Sequence, residues 1–71
     1  MEINIEAFMQ LLKDRFENNQ AKMARVLGFS RYQLNAVIKG KGKNAGKKII
    51  GAIIKYCDIN ELDFHNYIFL K

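Results

Sequence analysis

The 71-residue chain predicts an all-α fold, a compact five-helix domain, on three observations. Apolar residues recur at the three- and four-residue spacing of a buried helical stripe, and Asn or Ser stands just ahead of each such run. There is no proline, and little of the strict alternation that marks a half-buried strand. Domains run from about 50 to 250 residues, so residues 1–71 are expected to form one domain with one core.

The first helix is predicted from Ile5 to Glu17, capped by Asn4, with Ile5, Phe8, Met9, Leu12 and Phe16 facing in. Asn19 caps a short second helix, Gln20 to Leu27, whose inward residues are Ala21, Met23, Ala24 and Leu27, and Gly28 ends it. Phe29 is an apolar connector and Ser30 caps a third helix, Arg31 to Ile38, with Leu34, Val37 and Ile38 inside. That leaves Arg31, Tyr32, Gln33, Asn35 and Ala36 pointing out. The segment 39–44 is so rich in Gly and Lys that it reads as a flexible basic loop.

Asn44 then caps a fourth helix, about Ala45 to Cys57, with Ile49, Ile50, Ile53, Ile54 and Cys57 as its apolar positions. Gly46 and Gly51 weaken it by about 1 kcal/mol each relative to Ala, and Gly51 is read as a close helix crossing. Asp58 to Asn60 is a turn, Asn60 a cap, and Glu61 to about Ile68 a fifth helix. The β-branched and aromatic run Phe64 to Leu70 is equally compatible with an extended tail.

Composition narrows the function classes. With 49% hydrophobic and 27% charged residues the chain is too apolar for a disordered tail, and no apolar run approaches the roughly 18 residues of a membrane span. The start Met1-Glu2-Ile3-Asn4 lacks a signal peptide's basic and apolar regions, so the expected compartment is the cytoplasm. One cysteine, Cys57, and one histidine, His65, make neither a disulfide framework nor a zinc cage. Cys57 is read as a core thiol and His65 as a surface or interface residue. No cofactor, metal or small-molecule ligand is expected, and so short a chain is not expected to be an enzyme.

Charge is more informative than its total of +5. The acids are Glu2, Glu6, Asp14 and Glu17, then Asp58, Glu61 and Asp63; between Asn18 and Cys57 there is none. That interval holds Lys22, Arg25, Arg31, Lys39, Lys41, Lys43, Lys47, Lys48 and Lys55. Such a stretch repels itself unless a polyanion lies opposite; a solvated basic face and a nucleic-acid surface both fit it. Membrane-surface helices gather lysine on one amphipathic segment, which this chain does not do. Gly40 to Lys48 is no phosphate loop, because the upstream Gly and the Ser or Thr after the lysine are missing.

Counting Gln20 as first, the fifth position is Ala24 and the ninth is Gly28. Met23, Leu27, Phe29, Leu34 and Val37 are apolar at the fourth, eighth, tenth, fifteenth and eighteenth. A small residue at Ala24 lets two helices approach, Gly28 accepts the positive φ of the turn, and the apolar five fill the wedge. At ordinary composition the match arises in about one window in 10⁴. Residues Asn19 to Arg31, with Leu34 to Lys41, resemble the phage repressor/Cro-like (XRE class) helix-turn-helix family. The likeness runs from about Ile5 to Phe64.

The resemblance implies a lambda-repressor-like domain that binds double-stranded operator DNA, usually as a homodimer on a near-palindromic site. By matching position, Arg31, Tyr32, Gln33 and Asn35 would face base edges. Gln20, Lys22, Ser30, Lys39, Lys41 and Lys43 would contact phosphates. Arg suits guanine, and Gln or Asn suits adenine, in the major groove. Ile38 departs from the glutamate the family often carries there, and the loop after Gly40 is slightly longer and lacks the common proline. Phe64, Tyr67, Ile68, Phe69 and Leu70 exceed what one small core needs, so the C-terminal residues 60–71 are read as a dimerisation element, with completion of the chain's own core as the alternative.

The expected function is a sequence-specific transcriptional regulator, a Cro-like repressor of phage or phage-like origin acting at the nucleoid. An antitoxin or antirepressor-type protein-interaction module and a nonspecific architectural DNA-binding protein are the alternatives.

Overall fold

The computed structural model describes residues 2–43 and 45–69. In chain order these form a short strand β1 (Glu2–Ile3), helices α1 (Ile5–Phe16), α2 (Gln20–Leu27), α3 (Arg31–Lys39) and α4 (Lys47–Ile59), a 3-10 turn (Phe64–Asn66) and strand β2 (Ile68–Phe69). The protein is mostly helical, with four α-helices among the described residues rather than five.

Local capping chemistry sets the first three helices. The Asn4 side chain accepts the Ala7 N–H at the start of α1, and Asn19 accepts that of Lys22 at the start of α2, 3.1 Å away. Gly28 closes α2 in the left-handed conformation (φ 81°), and the next N–H, from Phe29, returns 2.8 Å to the Ala24 carbonyl. This closure drives Phe29 into the core. The α1 stripe is Phe8, Leu11, Leu12 and Phe16. Met9, expected inside, lies one 100° step beyond Phe8 on the rim and is exposed, while Leu11 takes the inner place. Ala21 is likewise exposed, since Met23, Ala24 and Leu27 complete the buried face of α2.

Residues 40–43 are not a loose loop. Lys39 is the last residue of α3, and the turn beyond it is closed by Lys41 N–H to Ile38 O, Gly42 N–H to Val37 O and Lys43 N–H to Gly40 O, at 3.0–3.1 Å. Gly42 is buried against β1, and its carbonyl accepts the Ile3 N–H at 2.9 Å. Its φ is +80°, and a Cβ would run into the Ile3 carbonyl, so this position requires glycine.

The fourth helix starts and stops two residues later than the sequence pattern predicts. Gly46 is its N-cap, without a side-chain hydrogen bond; Asn44, the expected cap, lies outside the described residues. At the other end the expected turn Asp58–Asn60 is the close of the helix. Asn60 caps it, its side-chain amide donating 2.9 Å to the Tyr56 carbonyl, and the Leu62 N–H returns to Cys57 O at 2.8 Å. Gly51 marks no helix crossing: a Cβ there would meet nothing within 4 Å.

The expected fifth helix, Glu61 to Ile68, does not form. Asp63 caps the 3-10 turn by accepting the His65 N–H at 3.0 Å, and the chain then extends so that β2 pairs antiparallel with β1, Glu2 opposite Phe69 and Ile3 opposite Ile68. The β-branched and aromatic residues that weaken a helix here suit a pleated pair, and β1 supplies the partner. The core gathers Ile3, Phe8, Leu12, Met23, Leu34, Ile53, Cys57 and Ile68, each nearly or wholly buried, and no described polar or charged residue is buried with them. Among the described residues, no helix is long and apolar enough to cross a membrane.

Candidate nucleic-acid interface

The candidate surface begins at Ser30. Its hydroxyl accepts the Gln33 N–H at 3.0 Å, and the Gln33 side-chain oxygen accepts the Ser30 N–H at 2.8 Å, a reciprocal capping box. Leu34 and Val37 are buried on the inner side of α3, so the helix cannot roll without emptying the core. On the outer side Arg31, Asn35 and Ala36 are exposed, and Tyr32 is the most exposed large hydrophobic residue of those described, at 83%. Gln33 is half-buried and engaged by the cap, which sets it apart from the other expected base-contacting residues.

Lys39, the last residue of α3, is exposed, as are Lys41 and Lys43 on the hydrogen-bonded turn that follows. Tyr32, Gln33 and Ala36 share with Lys43, Ala45 and Ile49 the walls of one shallow cleft of about 160 Å³. The fold thus brings the third helix and one end of the lysine turn to a common surface. Lys22 and the half-buried Gln20 sit in the first turn of α2 and do not line that cleft.

Electrostatics favour an anion opposite this surface. Helix N-termini carry partial positive charge and are normally complemented by acids, yet α2, α3 and α4 have none in their first turns. Instead those turns hold Lys22, Arg31, Lys47 and Lys48. Cations there oppose the helix dipole, a cost that a phosphate backbone would offset. Lys47 and Lys48 had no assigned role in the sequence reading. The signal that finds them is their place directly after the Gly46 helix start.

The four residues expected to dimerise divide. Ile68 is 2% exposed and belongs to the protein's own core, because β2 turns it inward opposite Ile3. Phe64 and Tyr67 are half-buried and packed against that core, while Phe69 is 48% exposed. The last part of the 60–71 element, Leu70 and Lys71, lies outside the described residues.

Two titratable groups are perturbed here by burial. The Cys57 thiol is pushed up from its ordinary 9.0 by burial first and by the nearby Asp63 charge second. Burial likewise raises the Tyr67 phenol from 10.0. A raised thiol is a poor nucleophile near neutral pH. Asp63 is moved the other way, held down by hydrogen bonds from the His65 backbone and ring, the latter at 2.8 Å. The pair is exposed. Among the described residues no group of three or more His, Cys, Asp or Glu is placed to hold a metal ion. No family model, curated protein or solved structure matches the chain.

Proposed function

We propose that the protein is a sequence-specific DNA-binding transcriptional regulator, a Cro-like repressor that reads the major groove with α3. The observation that carries this reading is the capped, core-anchored α3, which presents Arg31, Tyr32 and Asn35 beside the lysines of the turn in a carboxylate-free stretch of chain. Arg31 and Asn35 supply the donor and acceptor patterns that distinguish guanine and adenine edges. Lys39, Lys41 and Lys43, with Lys22 and the N-terminal turns of α2 and α4, supply the sequence-independent phosphate attraction. The helix-turn-helix spacing of Gln20 to Val37 supports the same reading. The role is binding rather than catalysis, exercised in the cytoplasm at the nucleoid.

A domain this small contacts few base pairs, so operator recognition calls for a homodimer with half-sites about one helical turn, roughly 34 Å, apart. Among the described residues of the C-terminal element, Phe69 is the exposed large apolar residue available to such a contact.

Selection of the purified protein on a random-duplex library at near-physiological salt tests the reading. Enrichment of a palindromic motif is the expected result. Salt-sensitive binding without enrichment would replace it with an architectural role, and no binding would replace it with a protein-interaction role.

A further inference from the structure

The C-terminal end of α2 and the outer face of α4 enclose an open groove of about 650 Å³. Val26 and Ile59 stand on its walls at 52% and 68% exposure, far more apolar surface than either helix needs to leave in water. Phe29 contributes to the lining from the turn after α2. Gly51 leaves open space between the walls, with nothing within 4 Å of where a Cβ would be. The charged residues lining the groove are Lys48 and Lys55, seven residues apart and therefore about 10 Å apart along one face of α4; no carboxylate lines it.

We propose that this groove docks an acidic amphipathic helix of another protein. An apolar stripe at i, i+3/i+4 and i+7 fills the space between Val26 and Ile59 over Gly51. Carboxylates flanking that stripe two turns apart meet Lys48 and Lys55. Lys48 to Ile59 runs about 16 Å along α4, room for three turns of a partner helix. Charge disfavours a second copy of this chain: groove against groove sets Lys48 and Lys55 against their own counterparts. The outer face of α1 brings Met9 as its exposed large apolar residue, between Glu6 and Lys13, and so offers no apolar stripe to fill the groove. DNA offers no apolar side chain for Val26 or Ile59. Of the residues placed against DNA only Lys48, in the first turn of α4, also lines the groove, and a peptide titration without DNA keeps the inference apart from the DNA-binding reading.

The test uses the full chain and a synthetic 16-residue helical peptide with a leucine stripe flanked by glutamates, compared with the same peptide carrying lysines, by fluorescence anisotropy. The acidic peptide is expected to bind at least about tenfold more tightly than the basic one. Gly51→Gln should weaken it by about tenfold or more; the new side chain enters open space and improves helix propensity, so circular dichroism should show an intact fold. Because that substitution is uncharged, its effect cannot come from general attraction to the lysine turn. Lys48→Glu combined with Lys55→Glu should invert the preference between the two peptides. Equal binding of both peptides, no binding of either, or acidic-peptide binding untouched by Gly51→Gln would overturn the proposal. So would a self-association that Gly51→Gln dissolves, which would give the groove to a second copy.

Discussion

The Ser30 hydroxyl and the Gln33 side chain each accept the other residue's backbone N–H, at 3.0 and 2.8 Å, and so fix the first turn of α3 from both ends. Arg31 and Tyr32 lie between them and are held outward by that pair of bonds. A glutamine with the composition of a base reader is here part of the scaffold that aims its neighbours.

Ser30→Ala should cost about 1 kcal/mol and Gln33→Ala somewhat less. Because each bond stabilises the geometry of the other, the double substitution should cost less than the sum. Urea midpoints of the four proteins measure this; strict additivity would show that the two bonds do not cooperate.

Arg31→Ala should relax preference at one base pair and cost about 1–3 kcal/mol on the preferred site. Lys41→Ala should weaken all duplexes alike and lower the salt slope by about one. Titrations on selected and scrambled duplexes across a salt series separate the two. Equal losses on both duplexes for Arg31→Ala would remove it from base readout.

Two glycines should respond with opposite signs. Gly42→Ala places a Cβ into the Ile3 carbonyl at φ +80° and should destabilise by about 2–3 kcal/mol, a large share of what so small a core supplies. Gly51→Ala meets open space within α4 and should stabilise by about 0.5–1 kcal/mol. Thermal melts of the two variants check the order.

Ile68→Ala should behave as a core truncation and cost about 2–4 kcal/mol, whatever the oligomeric state. Phe69→Ser, on a half-exposed side chain paired with Glu2, should cost the monomer about 1 kcal/mol, less than Ile68→Ala, and weaken any dimer. Sedimentation equilibrium beside urea denaturation distinguishes these effects.

Raised acid groups bear on alkaline stability. Folding holds Cys57 and Tyr67 protonated above their ordinary 9.0 and 10.0, so the unfolded chain loses those protons first as pH rises. Their contribution is fully present below about pH 9 and is lost as pH climbs through the folded values. Urea midpoints should therefore fall above about pH 9, and Cys57→Ala should make that fall shallower while lowering the starting stability. Asp63, held low by His65, acts at the acid end: its contribution is present above the ordinary 3.8 and lost as pH falls through the folded value.

What the sequence revealed follows the range of the forces involved. Asn4, Asn19 and Ser30 act within three residues, and the helices they cap begin where the pattern places them. The outward face of α3 was legible because Leu34 and Val37 define its inner face. The capping role of Gln33 was also written locally, in the Ser-x-x-Gln spacing, but base-reading chemistry occupied the same residue. The C-terminal segment was not legible, because the partner that makes Ile68–Phe69 a strand is Glu2–Ile3, far away in sequence and too short to show a period. The turn at Gly42 is settled by the same distant Ile3.

The pairing of Ile3 with Ile68 joins residues more than sixty positions apart, whereas α2 and α3 meet across a three-residue connection. Closing the long loop costs about 4 kcal/mol of chain entropy by the (3/2)RT ln n scaling, so the ribbon forms late, after the helical centre has condensed. Changes at Ile3 or Ile68 then act on the rate of opening rather than the rate of folding. The α2–α3 pair sets how fast the molecule is born, and the clasp of its two ends sets how long it lives.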